Sequence, residues 1–258
     1  MTPVRVEREG GLARVILAAP PLNLFDESVF AGYEAAVDEL EAEPPRAVLF
    51  TAEGKVVSAG VDVKVFDAIE SAGEATELWK RLVRLPRRLE ALPCPTVFAA
   101  HGLCLTAAFE ISLGCDIILA SESAKFGLVE IVVGLTPAMG GPQRLAQRAG
   151  PGRAREFVMT GETYAAATLE RWNVVNRVLP DEGFEAAAVA FATTLAEGPT
   201  RAHAATKQVV RAVLDGGVDA ADEAVTRLAG DLFATEDLQQ AVKSFLAQGP
   251  GKATYTGR

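Results

Sequence analysis

The sequence predicts an α/β protein, because two kinds of segment alternate along most of its first two thirds. Short runs rich in Val, Ile, Leu and Phe predict strands, and longer segments with apolar residues three or four positions apart predict helices. Strands that alternate with helices indicate a sheet whose loops at the strand ends carry the functional residues. At 258 residues, the chain is long enough for one large domain or for a core with a smaller appendage.

The N-terminal part predicts a hairpin, a helix and a strand. The segments VRVERE and LARVILA alternate around a Gly-Gly pair, which is typical of a β-hairpin. Asp26 is a candidate N-cap for a helix that stops at Pro44 and Pro45. RAVLFTA then predicts a strand, and the loop GKVVSAGVD follows it.

The middle of the chain repeats this alternation. We expect a helix from Glu74 to Leu92 with a kink or interruption at Pro86. After it come strand PTVFAAHG, short helix LTAAFEISLGC, strand DIILAS and the segment KFGLVEIVVGL.

After about Pro142 the chain becomes almost wholly helical, with VVNRVL as its strand-like segment. The helical segments are QRLAQRAG, GRAREFVMTG, AAATLERW, 184–197, 200–215, 218–233 and 236–247. We therefore predict a core that holds the ligand site, residues 1–197, and a helical appendage, residues 198–258. The appendage carries apolar faces that one helical layer cannot bury, so it should pack on the core or on another subunit.

Composition and charge argue against several classes of protein. A net charge of −9 disfavours nucleic-acid binding, and the basic segment KRLVRLPRRLE predicts the solvated face of an amphipathic helix. The apolar run from Pro93 to Asp116 contains Glu110 and two prolines, so we expect no membrane span. The N-terminus lacks the apolar core of an export signal.

The cysteines and histidines give no pattern of metal ligands. Cys94, Cys104 and Cys115 form no C-x-x-C pair and lie in apolar sequence, which predicts reduced, buried thiols and a cytoplasmic protein. His101 lies between two of them without the spacing of a metal site. Signatures of dinucleotide, P-loop, α/β-hydrolase and zincin enzymes are also absent from the sequence.

Two carboxylates in apolar sequence are the candidates for chemistry. Glu110 lies in TAAFEISL and Glu130 in KFGLVEIVVG. A carboxylate partly removed from water has a raised pKa and can act as a general acid or base near neutral pH. The alternative is that either residue ends a helix or points outward from the surface.

The loop VVSAGVDVK adds candidate backbone donors. Its N–H groups, with the first N–H groups of a helix that begins near Thr106, can bind an oxygen that gains negative charge. A simple strand-to-helix turn is the alternative.

Four motifs in order resemble the crotonase (enoyl-CoA hydratase/isomerase) superfamily: SAGVDVK, PTVFAAHGLCLTAAFEISLGCDIILAS, KFGLVEIVVGLTPAMGGPQRL and VMTG. The resemblance implies a spiral of ββα units with a helical C-terminal region for oligomerisation, as a homotrimer or homohexamer. It implies no metal and no cofactor, because coenzyme A is part of an acyl-CoA thioester substrate.

The resemblance also assigns roles to residues. The oxyanion hole falls on the N–H groups of Val61 and Ala107, and the catalytic pair falls on Glu110 and Glu130. In hydratases such a pair grips one water, which adds to the β-carbon while the α-carbon gains a proton. The remaining matches are residues expected to bind the substrate: Ser58, Ala59, Asp62, Val63, Lys64 and Ala138.

The sequence departs from the hydratase pattern in three places. Thr106, Ala107 and Ala108 stand where glycines are usual, so added Cβ atoms are expected to narrow the acyl pocket or strain the turn. Ala138 occupies another position where glycine is usual, and a Leu-Val pair at 128–129 replaces a more usual Gln-Pro.

Three interpretations remain open at this point. Both glutamates favour an enoyl-CoA hydratase. A Δ3-Δ2 enoyl-CoA isomerase needs only one carboxylate near the acyl chain, and an acyl-CoA-binding protein without turnover is consistent with the lost glycines. The sequence leaves the acyl chain length and the pathway open.

Overall fold

Two β-sheets organise the fold in the computed structural model, which describes residues 2–258. The strands are β1 Val4–Glu9, β2 Leu12–Leu17, β3 Ala47–Ala52, β4 Thr96–Ala100, β5 Leu103–Leu105, β6 Ile117–Ser121, β7 Lys125–Gly127, β8 Thr163–Ala165 and β9 Arg177–Leu179. The larger sheet has the order β1-β2-β3-β4-β6-β9, and the smaller has the order β5-β7-β8.

Ten α-helices surround these sheets in the described part of the chain. They are α1 Glu27–Ala42, α2 Lys64–Asp67, α3 Ala72–Leu82, α4 Arg84–Ala91, α5 Ala107–Leu113, α6 Gly141–Thr160, α7 Ala166–Arg171, α8 Phe184–Ala196, α9 Thr200–Leu232 and α10 Glu236–Gln248. A short 3₁₀ helix, Glu130–Val133, precedes α6.

The larger sheet is parallel apart from its first pair. Strands β1 and β2 form the predicted antiparallel hairpin, and each later pair in the sheet is parallel. Every residue of β4 is buried, as expected for a strand covered on both faces. Helix α8 covers one face through Phe184, Ala188 and Ala192, while the main aromatic core fills the other.

Most predicted elements are confirmed. Asp26 caps α1, since its Oδ1 accepts a hydrogen bond from Val29 N at 2.9 Å. The positive φ angles of Gly150 and Gly217 break α6 and α9 where the sequence predicted two helices rather than one. The three cysteines are free and buried.

The predictions were wrong in detail at three places. The helix from Glu74 to Leu92 is interrupted at Val83 rather than Pro86, because Pro86 lies in the first turn of α4, where its missing N–H costs no helical bond. Only Arg177–Leu179 of VVNRVL forms a strand. Strands β5 and β8 were missed, since three residues are too few to show alternation.

The C-terminal helices are attached to the core by hydrogen bonds and an ion pair. Lys207 Nζ on α9 donates to Cys94 O at 2.9 Å and lies 2.8 Å from an oxygen of Asp116. The division expected between residues 197 and 198 falls in the short link between α8 and α9. Within residues 2–258, no helix is long and apolar enough to cross a membrane.

Candidate active site

Glu110 and Glu130 line the same cavity, although twenty residues separate them in the sequence. Val61 and Ala138 line it as well. Its volume is about 20 Å³, which is enough for one water molecule. A larger cavity of about 450 Å³ lies beside α9 and contains neither carboxylate. The smaller cavity is therefore the candidate active site.

Helix α5 brings Glu110 into this cavity from its first turn. The side chain is only 2% exposed, and its Oε2 accepts hydrogen bonds from Met139 N at 2.9 Å and Gly141 N at 2.6 Å. A Cβ on Gly141 would lie 2.9 Å from Glu110 Cγ and Oε2. The carboxylate is thus bound by two backbone donors that approach closely because residue 141 has no side chain.

Glu130 begins the 3₁₀ helix and faces the cavity with less support. Glu130 is only 9% exposed, and within residues 2–258 no group forms a hydrogen bond with its Oε2. A buried oxygen without a partner is costly unless the group is protonated or a ligand binds it.

Burial raises the pKa of both carboxyl groups. It raises the pKa of Glu110 to about 8, and the neighbouring Glu130 carboxylate adds to this effect, while the Gly141 and Met139 N–H groups oppose it. Burial also raises the pKa of Glu130 to about 7. The pair therefore holds about one proton near neutral pH, as two interacting groups do when they cannot both ionise.

The nearby cation does little to offset this effect. Arg144 is buried and lowers the pKa of Glu110 less than any other contributing group. Its guanidinium makes two hydrogen bonds of 2.7 Å to the carboxylate of Glu90 and one of 3.2 Å to Gly140 O. Its positive charge is thus balanced by Glu90 rather than available to Glu110.

Two backbone N–H groups, one on Val61 in the cavity wall and one at the start of the helix that carries Glu110, have no acceptor among the described residues. In the loop, Gly60 N donates to Ser58 Oγ and Asp62 N donates to Phe25 O, which leaves Val61 N unbonded. Ala107 N is the first helical N–H of α5, so it has no partner within the helix. An isolated parallel bridge between Ser58 and Cys104 aligns the two segments.

These observations agree with the comparison with known proteins. The family model described as Enoyl-CoA hydratase/isomerase matches residues 7–257. The chain belongs to this family.

Named relatives match over almost the full chain. The short-chain-enoyl-CoA hydratase of Clostridium acetobutylicum is 29% identical over 246 residues, which cover 94% of each protein. An enoyl-CoA hydratase subunit I structure from Geobacillus kaustophilus has a TM-score of 0.91 at 29% identity and covers 99% of this chain and 98% of that one. An enoyl-CoA hydratase structure from Mycobacterium smegmatis has a TM-score of 0.88 at 25% identity, with 95% and 96% covered.

The other residues that the family resemblance selected lie in or under the loop before α2, or at the start of that helix. Ser58 is fully buried, and its hydroxyl donates to Asn23 O at 2.7 Å, so it supports the loop from beneath. Ala59 and Asp62 are partly exposed, and Asp62 Oδ1 accepts from Lys64 N at 3.0 Å. Val63, at the end of the loop, and Lys64, the first residue of α2, are both exposed.

Asn23 is a supporting residue of this family member that the sequence did not reveal. It is fully buried with a φ of 49°. Its Oδ1 accepts from Ala19 N at 2.9 Å, and its Nδ2 donates to Glu53 O at 2.8 Å and Val56 O at 3.0 Å. Asn tolerates this left-handed conformation better than most residues. The two acceptors of its Nδ2 lie about thirty positions away, however, and leave no local signal.

The turn strain expected from the lost glycines falls on Thr106. Its φ is 47° and its ψ is −121°, whereas Ala107 and Ala108 have negative φ angles within α5. A β-branched residue in this region is a true outlier, with a cost of about 1–3 kcal/mol.

The raised pKa of Glu110 predicts a definite pH dependence of stability. Between the unfolded value of 4.5 and the folded value of about 8, the folded protein binds more protons, so its free energy of unfolding falls as pH rises through this window. Glu110→Gln keeps an acceptor for the two N–H groups but carries no charge. We expect it to stabilise the protein by roughly 5 kcal/mol at pH 9 and by little at pH 5.

Chemical denaturation at pH 5, 7 and 9 measures this effect. Glu122→Gln is the matched control, because Glu122 is exposed. The free energy of unfolding of this variant should depend on pH as it does in wild type. A stability difference between Glu110→Gln and wild type that does not grow with pH would contradict the assignment.

Proposed function

We propose that this protein is an enoyl-CoA hydratase that adds water reversibly to a trans-2-enoyl-CoA and gives a 3-hydroxyacyl-CoA. The observation that carries the proposal is the pair of buried carboxylates at a cavity of about 20 Å³, with two unbonded N–H groups in the adjoining segments. Family membership and the named relatives support the same reaction class.

The N–H groups of Val61 and Ala107 are proposed to bind the thioester oxygen. When water attacks the β-carbon, electrons move through the double bond to this oxygen, which becomes an enolate oxygen. Fixed donors in a site with little water stabilise that charge without reorganising. The Ala59–Lys64 loop then lies along the coenzyme A chain, with Lys64 exposed for its phosphates.

The carboxylate pair accounts for the protons in this reaction. The ionised member takes a proton from the water as its oxygen bonds to the β-carbon, and the protonated member gives its proton to the α-carbon. The pair holds one proton before and after the reaction. Ala138 is proposed to limit the space next to the water, and no metal or separate cofactor takes part.

Activity measurements on the two glutamates test the proposal. We expect Glu110→Gln and Glu130→Gln each to lower kcat for hydration of crotonyl-CoA at least about 100-fold, because each removes a proton-transfer group. Loss of the absorbance of the conjugated enoyl thioester follows the reaction. Glu122→Gln should keep wild-type kcat, and the wild-type pH profile should be bell-shaped with limbs near 7 and 8.

The alternatives give different results in the same assay. Conversion of a 3-enoyl-CoA alone, unaffected by Glu110→Gln, would identify an isomerase. Tight acyl-CoA binding without turnover would identify a binding protein, in agreement with the substituted glycines. Absence of any coenzyme A binding would contradict all three functions.

We propose further that residues 1–197 form the catalytic core and residues 198–258 an oligomerisation region, in a homotrimer or homohexamer. Large apolar side chains at the end of α9 and on α10 support this: Phe233, Phe245 and Leu246 are all exposed in the single chain. Burial of such side chains favours association with another copy.

The oligomer proposal predicts the effect of a charge on α10. We expect Leu246→Glu to shift the protein from trimer or hexamer to monomer in light scattering coupled to size-exclusion chromatography. Gln248→Glu adds the same charge at an exposed polar position of this helix and should leave the assembly intact. A monomeric wild-type protein would contradict the proposal.

A further inference from the structure

Thr106 occupies the turn between β5 and α5 in a backbone conformation that suits glycine. Its φ of 47° and ψ of −121° are rare for any residue with a branched Cβ. Its N–H donates to Gly127 O at 2.9 Å, and its C=O accepts from Glu110 N at 2.9 Å. The turn is thus fixed from both sides, and the residue in it cannot relax to a more favourable φ.

The Thr106 hydroxyl adds a second unusual feature at the same position. The residue is only 6% exposed, and within the described residues no protein group forms a hydrogen bond with Oγ1. Buried hydroxyl groups nearly always have a partner, so an exception requires an explanation. Neither the strain nor the unpaired hydroxyl contributes to folding, since glycine would avoid both.

The hydroxyl lies beside the segment that carries Val61 N–H. A Cβ placed on Gly60 would be 3.0 Å from Thr106 Oγ1 and 3.4 Å from Thr106 Cγ2. The parallel bridge between Ser58 and Cys104 sets this alignment, with Gly60 two residues beyond Ser58 and Thr106 two residues beyond Cys104. The next residues, Val61 and Ala107, carry the two unbonded N–H groups.

We propose that the Thr106 hydroxyl is a third donor to the thioester oxygen, alongside the N–H groups of Val61 and Ala107. This inference rests on the proposed function, which places an acyl thioester in this cleft. As the carbonyl oxygen becomes an enolate oxygen, it gains negative charge next to the Thr106 hydroxyl, which forms no hydrogen bond with another described residue. A donor held in place before the reaction stabilises this charge most effectively.

Strain at Thr106 fits this role. Functional sites are where unfavourable backbone conformations persist, because the surrounding structure holds them in place. Here the fixed turn holds a hydroxyl against the Gly60 segment, one residue before Val61, which a glycine in the same turn cannot do.

Three substitutions separate a donor from a residue that only fills space. Thr106→Val keeps the branched shape and the strained backbone but has no hydroxyl. Thr106→Ser keeps the hydroxyl, and Thr106→Gly relaxes the backbone and removes the hydroxyl. We expect kcat/KM for crotonyl-CoA to fall about 10-fold to 100-fold in the Val and Gly variants and to stay within about threefold of wild type in the Ser variant.

Thermal denaturation distinguishes the catalytic role from a structural one. Because the hydroxyl has no partner in the fold, Thr106→Val should melt at or above the wild-type temperature. A lower melting temperature together with lost activity would show that the hydroxyl stabilises the folded structure, and would overturn the proposal. Wild-type activity in Thr106→Val or Thr106→Gly would overturn it as well.

A binding measurement tests the donor independently of hydration. Cinnamoyl-CoA absorbs at longer wavelength when its thioester carbonyl is polarised, so its spectrum at saturation reports the donors directly. We expect a red shift in wild type and Thr106→Ser and a smaller shift in Thr106→Val. If wild type fails to hydrate enoyl-CoA but shows this pattern, the proposed function fails while the third donor stands. Equal shifts in wild type and Thr106→Val, or no shift in wild type, overturn the third donor.

Discussion

The contact on which the site depends is the buried Glu110 carboxylate bound by Met139 N and Gly141 N. These two hydrogen bonds, at 2.9 and 2.6 Å, are the strongest interactions that offset removal of the carboxylate from water, and Arg144 adds only a weak one. They fix the segment that leads into α6 against the first turn of α5. A side chain at residue 141 would separate the two. The same environment keeps a proton on the carboxylate pair near neutral pH, because burial disfavours the ionised form and Arg144, whose charge is balanced by Glu90, stabilises it only weakly.

The fold delivers the parts of the site from both sheets. Strand β3 of the larger sheet leads into the loop that holds Val61, and strand β5 of the smaller sheet ends just before Thr106, from which α5 starts. The 3₁₀ helix that carries Glu130 follows β7 of the smaller sheet. Because rigid strands set the starting point of each segment, the amides and carboxylates can be fixed before a substrate binds. Such preorganisation is the main source of electrostatic stabilisation in enzymes.

Local sequence predicted the elements, and the family motifs predicted the candidate residues. One charge in an apolar run singled out Glu110, and the glycine substitutions pointed to strain near Thr106. Contacts between segments that are distant in the sequence could not be predicted in this way. The donors at residues 139 and 141 are backbone groups and therefore have no signature in side-chain pattern. Asn23 bonds to residues about thirty positions away, and β5 and β8 are too short to alternate.

The most direct test of this account is the titration of the carboxyl carbons by NMR in protein labelled with ¹³C at the glutamate side chains. We predict two resonances with midpoints near 7 and 8, one of which is missing in each of Glu110→Gln and Glu130→Gln. The midpoint of Glu110 should also fall in Glu130→Gln, because a neighbouring negative charge is lost. Titration of every glutamate below pH 6 would contradict the account.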